Sequence, residues 1–138
     1  MTRILAIDHG SRRIGIAVGD SETRMAFARR ALQRRGGDRD IAVLGELARA
    51  EDVSLVVVGL PMNMDGSEGS QAAAARAFGE RLVAIGLQVV YADERLSSWE
   101  AGVRLAEAGN RPSRRSGDLD SAAARLILQQ YLDAPEGA

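Results

Sequence analysis

Apolar and polar positions alternate at the start of the chain. Residues 3–8 (RILAID) and 14–20 (IGIAVGD) read as two strands joined by the tight segment HGSRR, an antiparallel hairpin. In the first strand Ile4, Ala6 and Asp8 share one side, and Leu5 and Ile7 the other. In the second, Ile14, Ile16 and Val18 share a face, while Gly15, Ala17 and Gly19 form a small-residue face that invites close approach by a helix or a ligand. The pattern weakens over residues 24–33, where a third strand fits, and RRGGDRD from Arg34 is a break. Helical spacing of Ile41, Leu44, Leu47 and Ala48 predicts a helix starting near Asp38 or Asp40. VSLVVVGL (53–60) is a β-branched run, the mark of a strand covered on both faces in a parallel arrangement.

PMNMDGSEGS is a Gly-rich loop. After it Ser70 is placed to cap a helix with the stripe Ala74, Phe78, Leu82 and Ile85, stopped at Gly86. LQVVYAD (87–93) is a further strand that runs into Glu94. Ser97 and Glu100 have capping-box spacing and open a helix that ends near 109–110. RPSRRSG is a polar linker, 118–132 a last helix, and 133–138 a frayed tail. A hairpin followed by α–β alternation, without repeats, predicts a single domain over 1–138: a mixed sheet with flanking helices.

The end of the first strand poses the chemical question. A carboxylate closing an apolar strand is costly to desolvate unless something pairs with it: a turn or helix amide, an Arg, a phosphate-binding role or a metal ion. Two more acids stand out by position, Glu94 after the last strand and Asp120 at the opening of the last helix. Ligands of open α/β sheets collect at strand ends. Three carboxylates meeting there would repel one another unless a divalent cation neutralised them, and oxygen-only ligation suits Mg²⁺ or Mn²⁺. Helical geometry favours Asp120 over Asp118. Asp120 shares a stripe with Ala123, Ala124, Ile127, Leu128 and Tyr131, expected to face the sheet, and Asp118 lines up with Ser121, Ala122, Arg125 and Gln129 on the polar side. Each acid alone reads more often as a cap or turn residue than as a catalytic one.

Composition narrows the chemistry. The chain has 138 residues, 46% hydrophobic and 27% charged, with a net charge of −1. That balance argues against an all-over grip on nucleic acid while allowing a local one. With no cysteine there is no disulfide, no thiolate nucleophile and no Cys-based zinc site. All 18 basic residues other than His9 are Arg, which excludes a Walker-type, Schiff-base or general-base lysine. No run approaches the ~20 apolar residues of a membrane helix, and no signal-peptide pattern opens the chain, so the expected location is cytoplasmic.

DHGSRRIGIAVGD, GLPMNMDGSEGSQA, ADERLSSWEA and DSAAARLILQQYL, in this order and spacing, resemble the YqgF/RuvX family of Holliday-junction-resolvase-like nucleases. The resemblance covers nearly the whole chain. It implies an RNase H-like fold, a five-stranded mixed sheet whose first three strands are antiparallel. It also implies metal-binding, catalytic acids at the D-x-G, D-E-R and last-helix D-x-A-A motifs, which carry over to Asp8, Glu94 and Asp120. The family usually has Tyr where this chain has His9, and Thr where it has Ser98. The implied reaction is phosphodiester hydrolysis with Mg²⁺ or Mn²⁺. The favoured task is processing the 5′ end of precursor 16S ribosomal RNA. Cleavage of four-way DNA is the alternative, and would need two sites on a homodimer. A non-catalytic nucleic-acid module, and an ATP-binding lobe of the actin and sugar-kinase kind, are the rival readings.

Several side chains are candidates for substrate binding. Arg13 and Arg95 flank the acids and read as phosphate clamps or as counter-charges. Asn63, with Asp65 and Gly66, sits in a loop after a buried strand, where substrate loops gather, yet N-M-D-G is also an ordinary turn. Arg114 and Arg115, with Arg111, form a basic loop just before Asp120, placed to grip phosphate or simply solvated. His9 points away from Asp8 and reads as a turn residue. Trp99 reads as core packing rather than as a base-stacking platform.

Overall fold

The hairpin forms as expected in a computed structural model, which describes residues 1–94 and 118–134, with side chains of the last helix from residue 121 onward. Strand β1 (Arg3–His9) pairs antiparallel with β2 (Arg13–Asp20) in the register Asp8↔Gly15, Ala6↔Ala17 and Ile4↔Gly19. Strand β3 (Ala26–Gln33) adds antiparallel to β2, and β4 (Leu55–Leu60) and β5 (Gln88–Asp93) add in parallel on the other side of β1. The sheet order is β3-β2-β1-β4-β5. The weak pattern of the third strand has a cause. It is an edge strand, and a register shift between Ile14 and Ile16 in its ladder interrupts the period of two.

Helices α1 (Gly37–Ala50) and α2 (Ser70–Ala84) cover one face of the sheet, and α3 (Asp118–Asp133) packs against the other. On the first face Leu5, Ile7, Ile14, Ile16, Val18, Val56, Val58 and Leu60 meet Ile41, Leu44, Phe78 and Leu82. The second face carries Ile4, Ala6, Ala17, Ala26 and Val57 beneath Ala124, Ile127, Leu128 and Leu132 of α3. The small face of the second strand therefore serves a helix. A Cβ on Gly19 would lie 3.1 Å from Leu132 Cδ1 and 3.3 Å from Leu128 Cδ2.

Three expectations need correction. Ser70 caps nothing: Gly69 is the N-cap of α2, and no side chain bonds there. The buried stripe of α2 is Ala72, Ala75, Phe78, Gly79 and Leu82, while Ala74 and Ile85 are exposed. Gly79 sets this rotation, because it lies against Tyr91, whose hydroxyl oxygen is 2.5 Å from where a Cβ would stand. On α3, Ser121 belongs to the buried side rather than the polar one, and Tyr131 is exposed with Leu132 buried in its place. The reason is a hydrogen bond: Ser121 Oγ accepts from the Ile16 N–H at 3.1 Å, beside the register shift of β2. The Ser97–Glu100 capping box and its helix lie outside the described residues. Among the described residues no helix is long and apolar enough to cross a membrane.

Candidate metal centre

Asp8 stands at the penultimate position of β1, on the α3 face of the sheet. Its antiparallel neighbour is Gly15. The parallel pairing with β4 runs Ala6↔Val57 and Ile7↔Val58, so one further step sets Asp8 beside Gly59. Glycine thus flanks Asp8 on both sides. The open space over Gly59 is used. A Cβ there would lie 2.8 Å from Glu94 Oε1 and 2.6 Å from Ile127 Cδ1. Gly59 in turn pairs with Ala92 of β5, and Glu94 follows that strand directly. The carboxyl of Glu94 therefore lies across β4 toward Asp8, in a berth that any other residue at 59 would fill.

The two acids meet. Burial pushes the Glu94 carboxyl up to about 9, and a hydrogen bond to Asp8, the Asp8 charge and the Asp93 charge all act in the same direction. The raised value favours a protonated Glu94 at neutral pH, and the hydrogen bond between the two carboxyls offsets their repulsion. The donors are all oxygens, which suits a hard divalent cation. Among the described residues no third acid or imidazole joins the pair to make a three-ligand group. Asp120 is placed by its backbone, in the first turn of α3. The next residue, Ser121, is tied to Ile16, one position from the glycine opposite Asp8. That bond brings the start of α3 to the end of the sheet that carries the pair.

The other candidates divide. Arg13 opens β2 at the same end and is exposed. Its carbonyl accepts from the Gly10 N–H at 3.0 Å, closing the hairpin turn. Asn63 follows β4 at that end and braces its own loop: its side-chain amide donates to Ser67 Oγ at 2.9 Å, and its carbonyl accepts from the Gly66 N–H. Arg95, Arg114 and Arg115, with Arg111 and Trp99, lie outside the described residues. His9 faces away from Asp8, as expected, and does more than turn the chain. Its ring packs on Phe78 with centroids 4.7 Å apart, and burial, then the Arg34 charge, hold its pKa below the usual value.

Two residues of this end escaped the reading of the sequence. Gly59 was legible as a glycine interrupting a β-branched run, a sign of close approach. Asp40, 1% exposed, does more than start a helix. Its carboxylate accepts from the Arg35 and Gly36 N–H groups at 3.2–3.4 Å, with Arg39 at 3.5 Å, and so pins the turn between β3 and α1.

The chain is similar to known proteins over most of its length. A protein of Anaeromyxobacter dehalogenans is 47% identical over 132 residues, covering 95% of this chain and 96% of that one, and a Synechococcus protein is 43% identical over 130 residues, covering 94% and 87%. Both bear the name "Putative pre-16S rRNA nuclease". Among solved structures, Thermus thermophilus RuvC in complex with a Holliday junction substrate superposes with a TM-score of 0.63 at 16% identity, covering 99% of this chain and 97% of that one. The yeast mitochondrial Holliday junction resolvase superposes with a TM-score of 0.57 at 11% identity, covering 95% and 78%. At these identities the two structures speak for the RNase H-like fold alone. The RuvX Holliday junction resolvase model matches residues 2–134, and the chain belongs to that family.

Proposed function

We propose that the chain is a divalent-metal-dependent nuclease that hydrolyses phosphodiester bonds and processes the 5′ end of precursor 16S ribosomal RNA, with Asp8, Glu94 and Asp120 as ligands of Mg²⁺ or Mn²⁺. The observation that carries this reading is the meeting of Asp8 and Glu94, 86 positions apart in sequence, in the buried berth over Gly59. A pair that must hold either a proton or a cation is a poor structural device and a good cation site. When bound, the cation supplies positive charge against the scissile phosphate and favours an attacking water at neutral pH. The chain's part is to hold the ligands still. Asp8 is fixed by a strand paired on both sides, and Glu94 by the berth over Gly59. Arg13, Asn63, Arg95, Arg114 and Arg115 are the groups assigned to the phosphates and riboses around that centre. A ribosomal RNA substrate implies a cytoplasmic location.

The names of the relatives support the RNA substrate, and the family's description supports a second reading, cleavage of four-way DNA by a homodimer. One assay separates them. Purified protein with Mn²⁺ is offered a precursor rRNA fragment and a four-way DNA junction, each with and without EDTA. The expected result is metal-dependent cleavage of the RNA, reduced at least ~1,000-fold by Asp8→Asn. Cleavage of the junction alone selects the second reading. Full activity in Asp8→Asn, or no cleavage of either polymer, overturns the proposal.

A further inference from the structure

The end of the sheet that carries the acid pair also gathers arginines with no carboxylate to hold them. Elsewhere Arg3 and Arg29 share Glu51, and Arg76 pairs with Glu68. Arg12, Arg30, Arg34 and Arg35 are all exposed, and among the described residues none of them forms a salt bridge. Arg24, Arg49 and Arg125 also lack such a partner there, but they stand singly.

Arg12, Arg34 and Arg35 are neighbours by construction, and Arg30 lies farther along the β3 edge. Arg13 pairs with Gln33 across β2 and β3, and the Arg34 N–H donates to the Arg12 carbonyl at 2.9 Å, extending that ladder past the strand ends. Arg34 Nη1 donates to the Gly10 and Ser11 carbonyls at 3.1 and 3.2 Å, so this guanidinium is locked over the β1–β2 turn with the rest of its fork in solvent. Arg30 stands at the irregular part of β3, in the stretch where its register against β2 shifts. The backbone beneath Arg35 is pinned by buried Asp40. The acids at this corner are spent, Asp40 on backbone N–H groups and Arg39, and Asp38 on Arg81. In a chain of net charge −1, three cations that form no salt bridge among the described residues stand on a braced corner at the hairpin turn beyond Asp8, with Arg30 along the adjoining edge, and together they make a concentrated positive field.

We propose that Arg12, Arg30, Arg34 and Arg35 form a ridge that binds the phosphates of the substrate strand outside the scissile one, leading it from the acid pair across the hairpin turn to the β3 edge. The ridge rests on the nuclease reading for its partner, a single nucleic-acid strand, but makes separate claims. Arginine forks held by backbone bind phosphate without reading sequence. The ridge therefore sets affinity and strand path, and the cut itself belongs to the acids.

The test uses the full chain and a fluorescein-labelled 20-nucleotide RNA in EDTA, where no cutting occurs, with binding followed from 50 to 300 mM salt. Arg12→Ala/Arg35→Ala is expected to weaken Kd about tenfold at 100 mM salt and to flatten the log–log salt slope by about 1.4, some 0.7 for each phosphate released. Among the described residues these two side chains form no hydrogen bond or ion pair, so the variant keeps its fold. With Mn²⁺ the same variant raises KM and leaves kcat unchanged. Arg49→Ala, on the far end of α1, removes a charge away from the ridge and should change neither measurement. Unchanged Kd and slope in the double variant, or an equal loss in Arg49→Ala, overturns the ridge and leaves the nuclease standing. Ridge-dependent binding without any cleavage in Mn²⁺ overturns the nuclease and leaves the ridge. Wild-type protein that binds no nucleic acid overturns both.

Discussion

The two faces of the central sheet are built from side chains of different size, and the difference separates stability from chemistry. Beneath α1 and α2 the strands present Leu5, Ile7, Ile14, Ile16, Val56 and Val58, a filled apolar layer. Beneath α3 the same strands present Ala6, Ala17, Gly15, Gly19 and Gly59, and the space left by the missing side chains admits a helix at one end and two carboxyls at the other. Large residues leave no room for a polar site. A strand with one bulky face can afford one sparse face, because the bulky face supplies most of the burial.

Four measurements would break or sharpen this contrast. Leu5→Ala on the filled face should cost about 2–5 kcal/mol of unfolding free energy, seen in a denaturant titration, since Leu5 is fully buried. Its cleavage rate per folded molecule should not change. Gly59→Ala on the sparse face should do the reverse. A stability loss of roughly 1–3 kcal/mol should accompany a fall in activity of about 100-fold, because the added methyl meets Glu94 Oε1 and Ile127 at once. Equal activity in Gly59→Ala and wild type would mean that the berth is irrelevant to the reaction. Ser121→Ala strands the buried Ile16 N–H and should cost about 1–3 kcal/mol, with the start of α3 exchanging its amide protons faster.

The fourth measurement follows pH. Without metal, folded Glu94 keeps a proton up to about 9 that the unfolded chain releases near 4.5. The folded state then binds more protons, so stability is fully present below the unfolded value and declines as pH rises from about 5 to 9, by at most about 1.4 kcal/mol per pH unit. Thermal melts in EDTA should fall in Tm across this window, and Glu94→Gln should flatten the fall. Added Mn²⁺ should release about one proton and stabilise the protein more at pH 8 than at pH 6. A wild-type melt independent of pH and of Mn²⁺ would mean that the acid pair is not as close as the structure has it.

Much of this was legible in the order of residues. The alternation in β1 and β2 assigned Leu5 and Ile7 to one face and Asp8 to the other, because a strand's side chains can only alternate. The unbroken run ending in Gly59 and Leu60 marked a strand covered on both sides and parallel to its neighbours. The stripes of α2 and α3 were less legible. Small residues on several sides of each helix leave the buried side undecided, and it was settled by single contacts, Gly79 on Tyr91 and Ser121 on Ile16.

The sequence by itself determined the element types, the face of each strand residue and the family, since these follow from local periodicity and from motifs in a fixed order. The meeting of Asp8 with Glu94 over Gly59 and the grouping of Arg12, Arg34 and Arg35 were decided only by tertiary structure. Each depends on which strands become neighbours and in what register, and pairing between segments tens of residues apart is set by the packing of the whole sheet.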